Sequence, residues 1–186
     1  MVCTVDTQSS SGGDHHGTES RPKGRMSAMD ETQNDAADAA PRVVSASRVI
    51  AAAPGEIFEH IADPALQTAW DGNDNLAEAA SGQRVRGVGD VFAMTLTTGA
   101  VRENHVVDFD EGLRIAWLPA PEGEQPPGHL WRWDLEPLGE GRTRVIHTYD
   151  WTDLHDPVRE ERARRTTEAS LRASVDRLAA LLEQDD

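Results

Sequence analysis

From His129 to Trp151 the chain reads HLWRWDLEPLGEGRTRVIHTYDW, and its side chains sort by parity into two strands and a turn. His129, Trp131, Trp133 and Leu135 share one side of the first run, whereas Arg132, Asp134 and Glu136 share the other with Leu130. The second run sets Val145, His147, Tyr149 and Trp151 against Arg144, Ile146, Thr148 and Asp150, and Gly139 and Gly141 mark the turn. Pairing Leu135 with Val145 in antiparallel register puts Trp133 opposite His147, Trp131 opposite Tyr149 and His129 opposite Trp151. One face then holds three Trp, one Tyr and two His. Buried polar tips need partners, so an aromatic face studded with hydrogen-bonding groups reads as a ligand wall more than a plain core.

The same reading extends to the rest of the chain. Val43–Ala52 alternates as a first strand, and Pro54 opens a short helix, PGEIFEHIAD, that buries Ile57, Phe58 and Ile61. Asp63-Pro64 ends it and starts a second short helix, PALQTAWDG, which carries Leu66 and Trp70 and stops at Gly72. Residues 73–90 hold Gly82, Gly87 and Gly89 and predict a short strand with turns. Three strands follow: Val91–Thr98 with Phe92, Met94 and Leu96 on one face, a mixed strand over Ala100–Asp110, and Leu113–Pro119 aligning Leu113, Ile115 and Trp117. Gly99 and Glu111-Gly112 supply the turns. Four prolines between Pro119 and Gly128 predict a surface loop at the mouth of the sheet.

The last element spans Asp156 to Glu183 as one long helix, with Asp156 as N-cap and Pro157 at the first helical position. Leu171, Val175, Leu178 and Leu182 form its apolar stripe, while Val158, Arg162, Arg165 and Ala169 occupy the same face nearer its start. Arg162 and Arg165 fit an anion-binding role if that face turns inward, and solvated pairs with Glu161 and Glu168 if it does not. A sheet of six or seven antiparallel strands, too curved to cover itself, is closed by one long helix lying across it, with a cavity between them.

Composition narrows the classes. The 186 residues suit one domain, 43–186, behind a tail of residues 1–42 that is rich in Ser, Gly, Asp and Thr and too poor in large apolar groups to offset its ordering entropy. Met26 and Met29 offer later starts, and His15-His16 in that tail lacks the further ligands a metal site needs. A net charge of -15 and a pI near 4.7 argue against nucleic acid and anionic membranes. The single cysteine, Cys3, excludes an internal disulfide; no run of about 18 apolar residues supports a membrane span and the first thirty residues lack the apolar core of a secretory leader, so a cytoplasmic, reduced protein is expected.

SRVIAAAPGEIFEHIADPALQTAWDG resembles the entry signature of the START-like, helix-grip superfamily, and HLWRWDLEPLGEGRTRVIHTYDWTDL resembles the last hairpin of its polyketide cyclase/dehydrase and lipid-transport branch, with VVDFDEGLRIAW fitting the middle strands. Pro54, Phe58, Asp63, Pro64 and Trp70 match the entry; Trp131, Leu135, Pro137, Gly141, Thr143, Val145 and Tyr149 match the hairpin. The resemblance implies an α+β helix-grip fold over Val43–Glu183. It does not select among the aromatases and cyclases, lipid carriers, hormone and alkaloid binders and co-chaperone-like domains that share the fold.

Three functional readings follow. A binding module would hold an apolar or aromatic small molecule against Phe92, Met94, Trp117, Trp131, Trp133 and Tyr149, with His129 and His147 orienting a polar substituent and Arg162 or Arg165 an anionic one. A cofactor-independent cyclase or dehydratase would use His147, Tyr149 and His129 for acid/base chemistry, with His105 and His155 as weaker candidates. An interaction domain would use the acidic surface. The chain carries no Gly-rich phosphate loop, Walker pattern or H-E-x-x-H, so no cofactor or metal is expected. Nothing in it demands chemistry, which favours binding; the oligomeric state and the ligand are left open.

Overall fold

Three prolines at helix starts, a hydroxyl cap and the alternation of apolar side chains divide the chain into its elements. The structure, a computed structural model, describes residues 41–183; Cys3, His15, His16, Met26 and Met29 lie outside the described residues. In chain order come β1 (Val43–Ile50), α1 (Pro54–Ala62), α2 (Pro64–Gln67), β2 (Leu76–Glu78), β3 (Val91–Leu96), β4 (Val101–Asp110), β5 (Arg114–Pro121), β6 (Leu130–Gly139), β7 (Arg142–Asp150), α3 (Pro157–Ala163) and α4 (Glu168–Leu182). The strands form one antiparallel sheet in the order β1, β7, β6, β5, β4, β3, β2. This is the helix-grip arrangement that the resemblance implies.

The register of the last hairpin is the one read from parity: Leu135 faces Val145, Trp133 faces His147 and Trp131 faces Tyr149. Glu140 and Gly141 form its two-residue turn, both at positive φ (53° and 68°), the backbone that matches the twist of the flanking strands. The expected pair of His129 with Trp151 is not formed. β6 begins at Leu130, and the Trp151 amide donates instead to the Arg42 carbonyl (2.9 Å), which carries it toward β1. Arg42, placed in the tail by composition, packs over the Trp151 ring at 4.6 Å and pairs with Glu160.

Strand β5 runs through Pro119 and Pro121, two positions expected to begin the loop. Its pairing with β6 ends at Trp117–Trp131, while β4 still faces Pro119 with Asn104 and Pro121 with Arg102. On that stretch β5 is an edge strand, and an edge strand tolerates proline because no second neighbour needs the missing amide. Leu113, grouped with Ile115 and Trp117, precedes the strand and is exposed, whereas the other two are buried.

Helix α1 buries Ile57, Phe58 and Ile61 as expected. Helix α2 is shorter than the pattern suggested. Asp63 caps it by accepting the Ala65 amide, and after Gln67 the chain continues in turns to Trp70, whose indole Nε1–H donates to the His60 carbonyl (3.0 Å).

The long C-terminal helix is two helices. Asp156 caps α3 as predicted, but the run breaks over residues 164–167, where Thr167 accepts the Ser170 amide and the Ser170 hydroxyl accepts the Thr167 amide. This reciprocal capping box starts α4 afresh. The stripe expected on α4 holds: Leu171, Val175, Leu178 and Leu182 are buried, and α4 packs on β1 and β7. Arg48 of β1 pairs with both Asp176 and Glu183, fastening the helix along the sheet edge.

The loop after α2 touches α4 at one tight point. The Gly72 amide donates to Ser174 Oγ (2.9 Å), and a methyl group on Gly72 would sit 2.8 Å from both that oxygen and the Ala173 carbonyl carbon. Gly72→Ala is therefore expected to destabilise the domain by about 2–3 kcal/mol through overpacking. In thermal unfolding this is a fall of roughly 4–12 °C for a chain of this size; a transition within a degree of the parent would show that the contact yields freely.

Candidate functional site

The β6–β7 pair supplies a continuous aromatic wall. The His147 ring lies on Trp133 at 3.8 Å between centroids and 10° between planes, and Trp131 lies over Tyr149 at 4.3 Å. Trp131 also approaches His147 (5.4 Å), and His129 meets Tyr149 edge-on at 5.9 Å. Trp70 and Trp133 meet edge-to-face at 5.1 Å. Strand pairing sets these separations: cross-strand neighbours on one face are close enough for rings to touch.

In front of this wall is a hollow of about 320 Å³, within the size of small-molecule pockets, roughly 300–1,000 Å³. β3, β4 and β5 contribute Met94, Leu96, Arg102, Asn104, Trp117 and Pro119; the loop after α2 contributes Asp71, Asn73 and Asn75; α3 and its exit contribute Arg159, Arg162, Ala163 and Thr166; α4 contributes Ser174. The Asp71 carboxylate is occupied by the amides of Asn73 (3.1 Å), Asn75 (3.0 Å) and Leu76 (3.3 Å), so it braces the loop. Buried Asn104 donates to the Phe92 carbonyl, which ties β4 to β3.

Two imidazoles and a phenol that face the hollow are shifted from their ordinary acidities. Burial pushes His147 down to about 3, and only a backbone hydrogen bond with Leu171 works against it. His129 falls to about 4, first through burial and then through the nearby guanidiniums of Arg159 and Arg102. Burial lifts the Tyr149 phenol to about 12. Both imidazoles are thus neutral at pH 7, and the Nδ1 atoms of both are buried without a hydrogen-bond partner. Among the described residues the Tyr149 hydroxyl has no protein partner either.

Of the side chains singled out from the sequence, Met94, Trp117, His129, Trp131, Trp133, His147, Tyr149 and Arg162 come together around the hollow. Phe92 does not reach it. Its side chain is fully buried and packs edge-on to Trp117 at 5.4 Å. Arg165 points away and pairs with Glu161 at 2.6 Å, since the break after α3 shifts the helix phase. On α3, half-buried Arg159, buried Ala163 and exposed Arg162 line the hollow, while Val158 is 71% exposed and does not. Trp151, counted with the aromatic face, packs instead with Leu154 and Leu171 under Arg42 and Arg164. His105 alternates with Arg102 and Asn104 on β4 and faces away, and His155 is exposed outside the lining.

Sequence reasoning missed Asp71, Asn73, Asn75, Arg102, Asn104, Arg159 and Ser174. Parity gave a usable signal for two of them: Arg102 and Asn104 share a face with Val106, and the register sets them opposite Met94 and Phe92. Among the described residues no group of three or more His, Cys, Asp or Glu is placed to hold a metal ion. No helix among them is long and apolar enough to cross a membrane.

Comparison with known proteins follows the same lines. The chain is 28% identical over 142 residues to the uncharacterized protein Rv0088 of Mycobacterium tuberculosis, a match covering 70% of this chain and 55% of that protein. It thus spans about half the length of this curated relative. Protein MLL2253 from Mesorhizobium loti superposes with a TM-score of 0.58 at 18% identity, over 77% of this chain and 98% of that one. DynU16, from the dynemicin biosynthetic locus, superposes at 0.55 and 18% identity, over 78% of this chain and 49% of the other. These likenesses establish the fold. The family described as polyketide cyclase/dehydrase and lipid transport matches residues 41–183, which takes in every strand and helix described above, and the chain belongs to that family.

Proposed function

We propose that this protein binds a small apolar or aromatic molecule, of lipid or polyketide-like character, in the hollow in front of β6 and β7. The observation that carries the reading is the combination of indole surface with unfilled polar capacity. Trp117, Trp131 and Trp133 offer the apolar area, while the Nδ1 atoms of His129 and His147 lack protein partners. A buried acceptor left unmade costs about 1–3 kcal/mol, and a guest that donates to it recovers that cost.

The second reading, a cofactor-independent cyclase or dehydratase, is favoured by the convergence of His147, His129 and Tyr149 on one space. The acidities work against it. General acid/base groups act best when their pKa lies near the working pH, whereas these imidazoles sit near 3 and 4 and the phenol near 12. Neutral rings of this kind orient a polar substituent well and move a proton poorly. Binding therefore takes precedence over catalysis.

Native mass spectrometry of freshly purified protein is expected to reveal a co-purifying small molecule, and a panel of lipids and polyphenols is expected to quench Trp fluorescence saturably. Replacing the half-buried wall residue in Trp131→Ala should weaken such binding about tenfold, the size of a well-packed aromatic contact, with Trp131→Phe between the two. Flat titrations across the panel would overturn the reading.

The neutral histidines also predict a pH dependence. Their folded pKa values lie below the ordinary 6.5, so the unfolded chain binds protons more readily. Their contribution is complete above about pH 6.5 and is lost as pH falls toward 4 for His129 and toward 3 for His147, at up to about 1.4 kcal/mol per pH unit each. In urea unfolding, His147→Gln should narrow the stability difference between pH 7 and pH 5 by roughly 2 kcal/mol. An unchanged difference would show that His147 is not held neutral.

A further inference from the structure

With 33 acidic side chains against 18 basic ones, an arginine in this chain meets a carboxylate by default. Arg48, Arg84, Arg132 and Arg177 do so, at 2.6–3.3 Å. Of the three arginines lining the hollow, two depart from the pattern and the third follows it only loosely. Among the described residues Arg162 has neither an ion pair nor a side-chain hydrogen bond, and Arg102 donates only to the Val101 carbonyl (3.1 Å). Arg159 has only long contacts, 3.7 Å to Asp156 and 3.9 Å to Glu124, beyond hydrogen-bond reach.

These cations are on two elements but act on one place. Arg102 of β4 and Arg159 of α3 both raise the cost of protonating His129, so their fields meet at its ring. Arg162 lies one turn along α3 from Arg159 and lines the same hollow. Asp71 is the one carboxylate in the lining, and three backbone amides already saturate it. Two cations without a carboxylate and a third only loosely paired, beside an apolar wall, leave a charge for the guest to supply.

We infer that the ligand is an organic anion, with an apolar body lying on Trp131 and one carboxylate or phosphate group held by Arg102, Arg159 and Arg162. The inference rests on the ligand-binding reading of the same hollow and adds the ligand's charge to it. Guanidinium suits the task because its planar fork engages two oxygens of one acidic group while remaining ionised at every accessible pH.

A matched pair of probes tests this: anilinonaphthalene sulfonate and uncharged phenylnaphthylamine, which share an aromatic body and differ in the acidic group. The full chain should bind the sulfonate at least tenfold more tightly, and added salt should weaken only the sulfonate. Arg102→Gln, Arg159→Gln and Arg162→Gln should each reduce sulfonate affinity about tenfold and leave the neutral probe unchanged. Arg165→Gln, which makes the same change in net charge outside the hollow, should affect neither.

Displacement of bound sulfonate by naphthoate and by naphthyl phosphate then separates a carboxylate ligand from a phosphate one. Equal affinity for the two probes, equal sensitivity to Arg165→Gln, or displacement by neither competitor would overturn the anion assignment while saturable binding of the neutral probe left the hollow's role standing. Saturation by neither probe would overturn both.

Discussion

An imidazole kept neutral by its surroundings sets the terms for this domain. His147 is 4% exposed and lies flat on Trp133, which also makes an edge-to-face contact with Trp70. No carboxylate is among the causes acting on His147, and the one backbone hydrogen bond with Leu171 does not offset the desolvation cost of a charged ring. The stack therefore requires β6 and β7 to meet in one register. A slip of one residue would turn the indoles outward and bring Arg132 and Asp134, which now pair on the outer face at 2.7 Å, into the interior. The same requirement reaches α1 and α2, because Trp70 is steered against Trp133 by its bond to the His60 carbonyl.

This dependence explains what could be read from the chain and what could not. The hairpin was legible because period-two alternation, a two-residue turn and large side chains all pointed the same way. The α4 stripe was legible for a similar reason, since Leu171, Val175, Leu178 and Leu182 have one partner surface, the sheet. Pro119 and Pro121 misled because proline reads as a breaker until the neighbouring strand is known to have ended at Trp117. The helix break was hidden in hydroxyls: Thr167 and Ser170 cap each other where a carboxylate or amide at the fourth position would have been the more familiar sign. Polar residues facing the hollow were the hardest to find. Arg102 and Asn104 look like surface in a strand whose apolar positions are mixed, and only the register with β3 shows that they face inward with Met94.

The polar and apolar halves of the interior are consequently built by different means. Ile50, Phe58, Ile115 and Leu178 fill the dry side by packing alone. On the hollow side, rigidity comes from hydrogen bonds that fix backbone: Asp71 on three amides, Gln67 on the Ile61 carbonyl at 2.8 Å, Ser174 on Gly72. Saturating these groups internally removes them as ligand contacts and leaves the aromatic rings, two imidazole nitrogens and the arginines as the adjustable chemistry. A site of that kind is pre-formed, so little ordering cost falls on the guest.

The break in the C-terminal helix is what makes those arginines available. A straight helix in phase with Leu171 would place Arg164 and Glu160 seven and eleven residues back on the buried stripe. In the broken arrangement Arg164 and Glu160 do pair, at 3.2 Å, but beside Trp151 at the β1–β7 edge, where Glu160 also meets Arg42. Having set that pair aside, α3 is free to lay its neighbouring face over the hollow, and that face carries Arg159 and Arg162. One pair of reciprocal hydroxyl bonds at Thr167 and Ser170 thus separates the self-satisfied charges of α3 from the unsatisfied ones, and decides which of them a ligand meets.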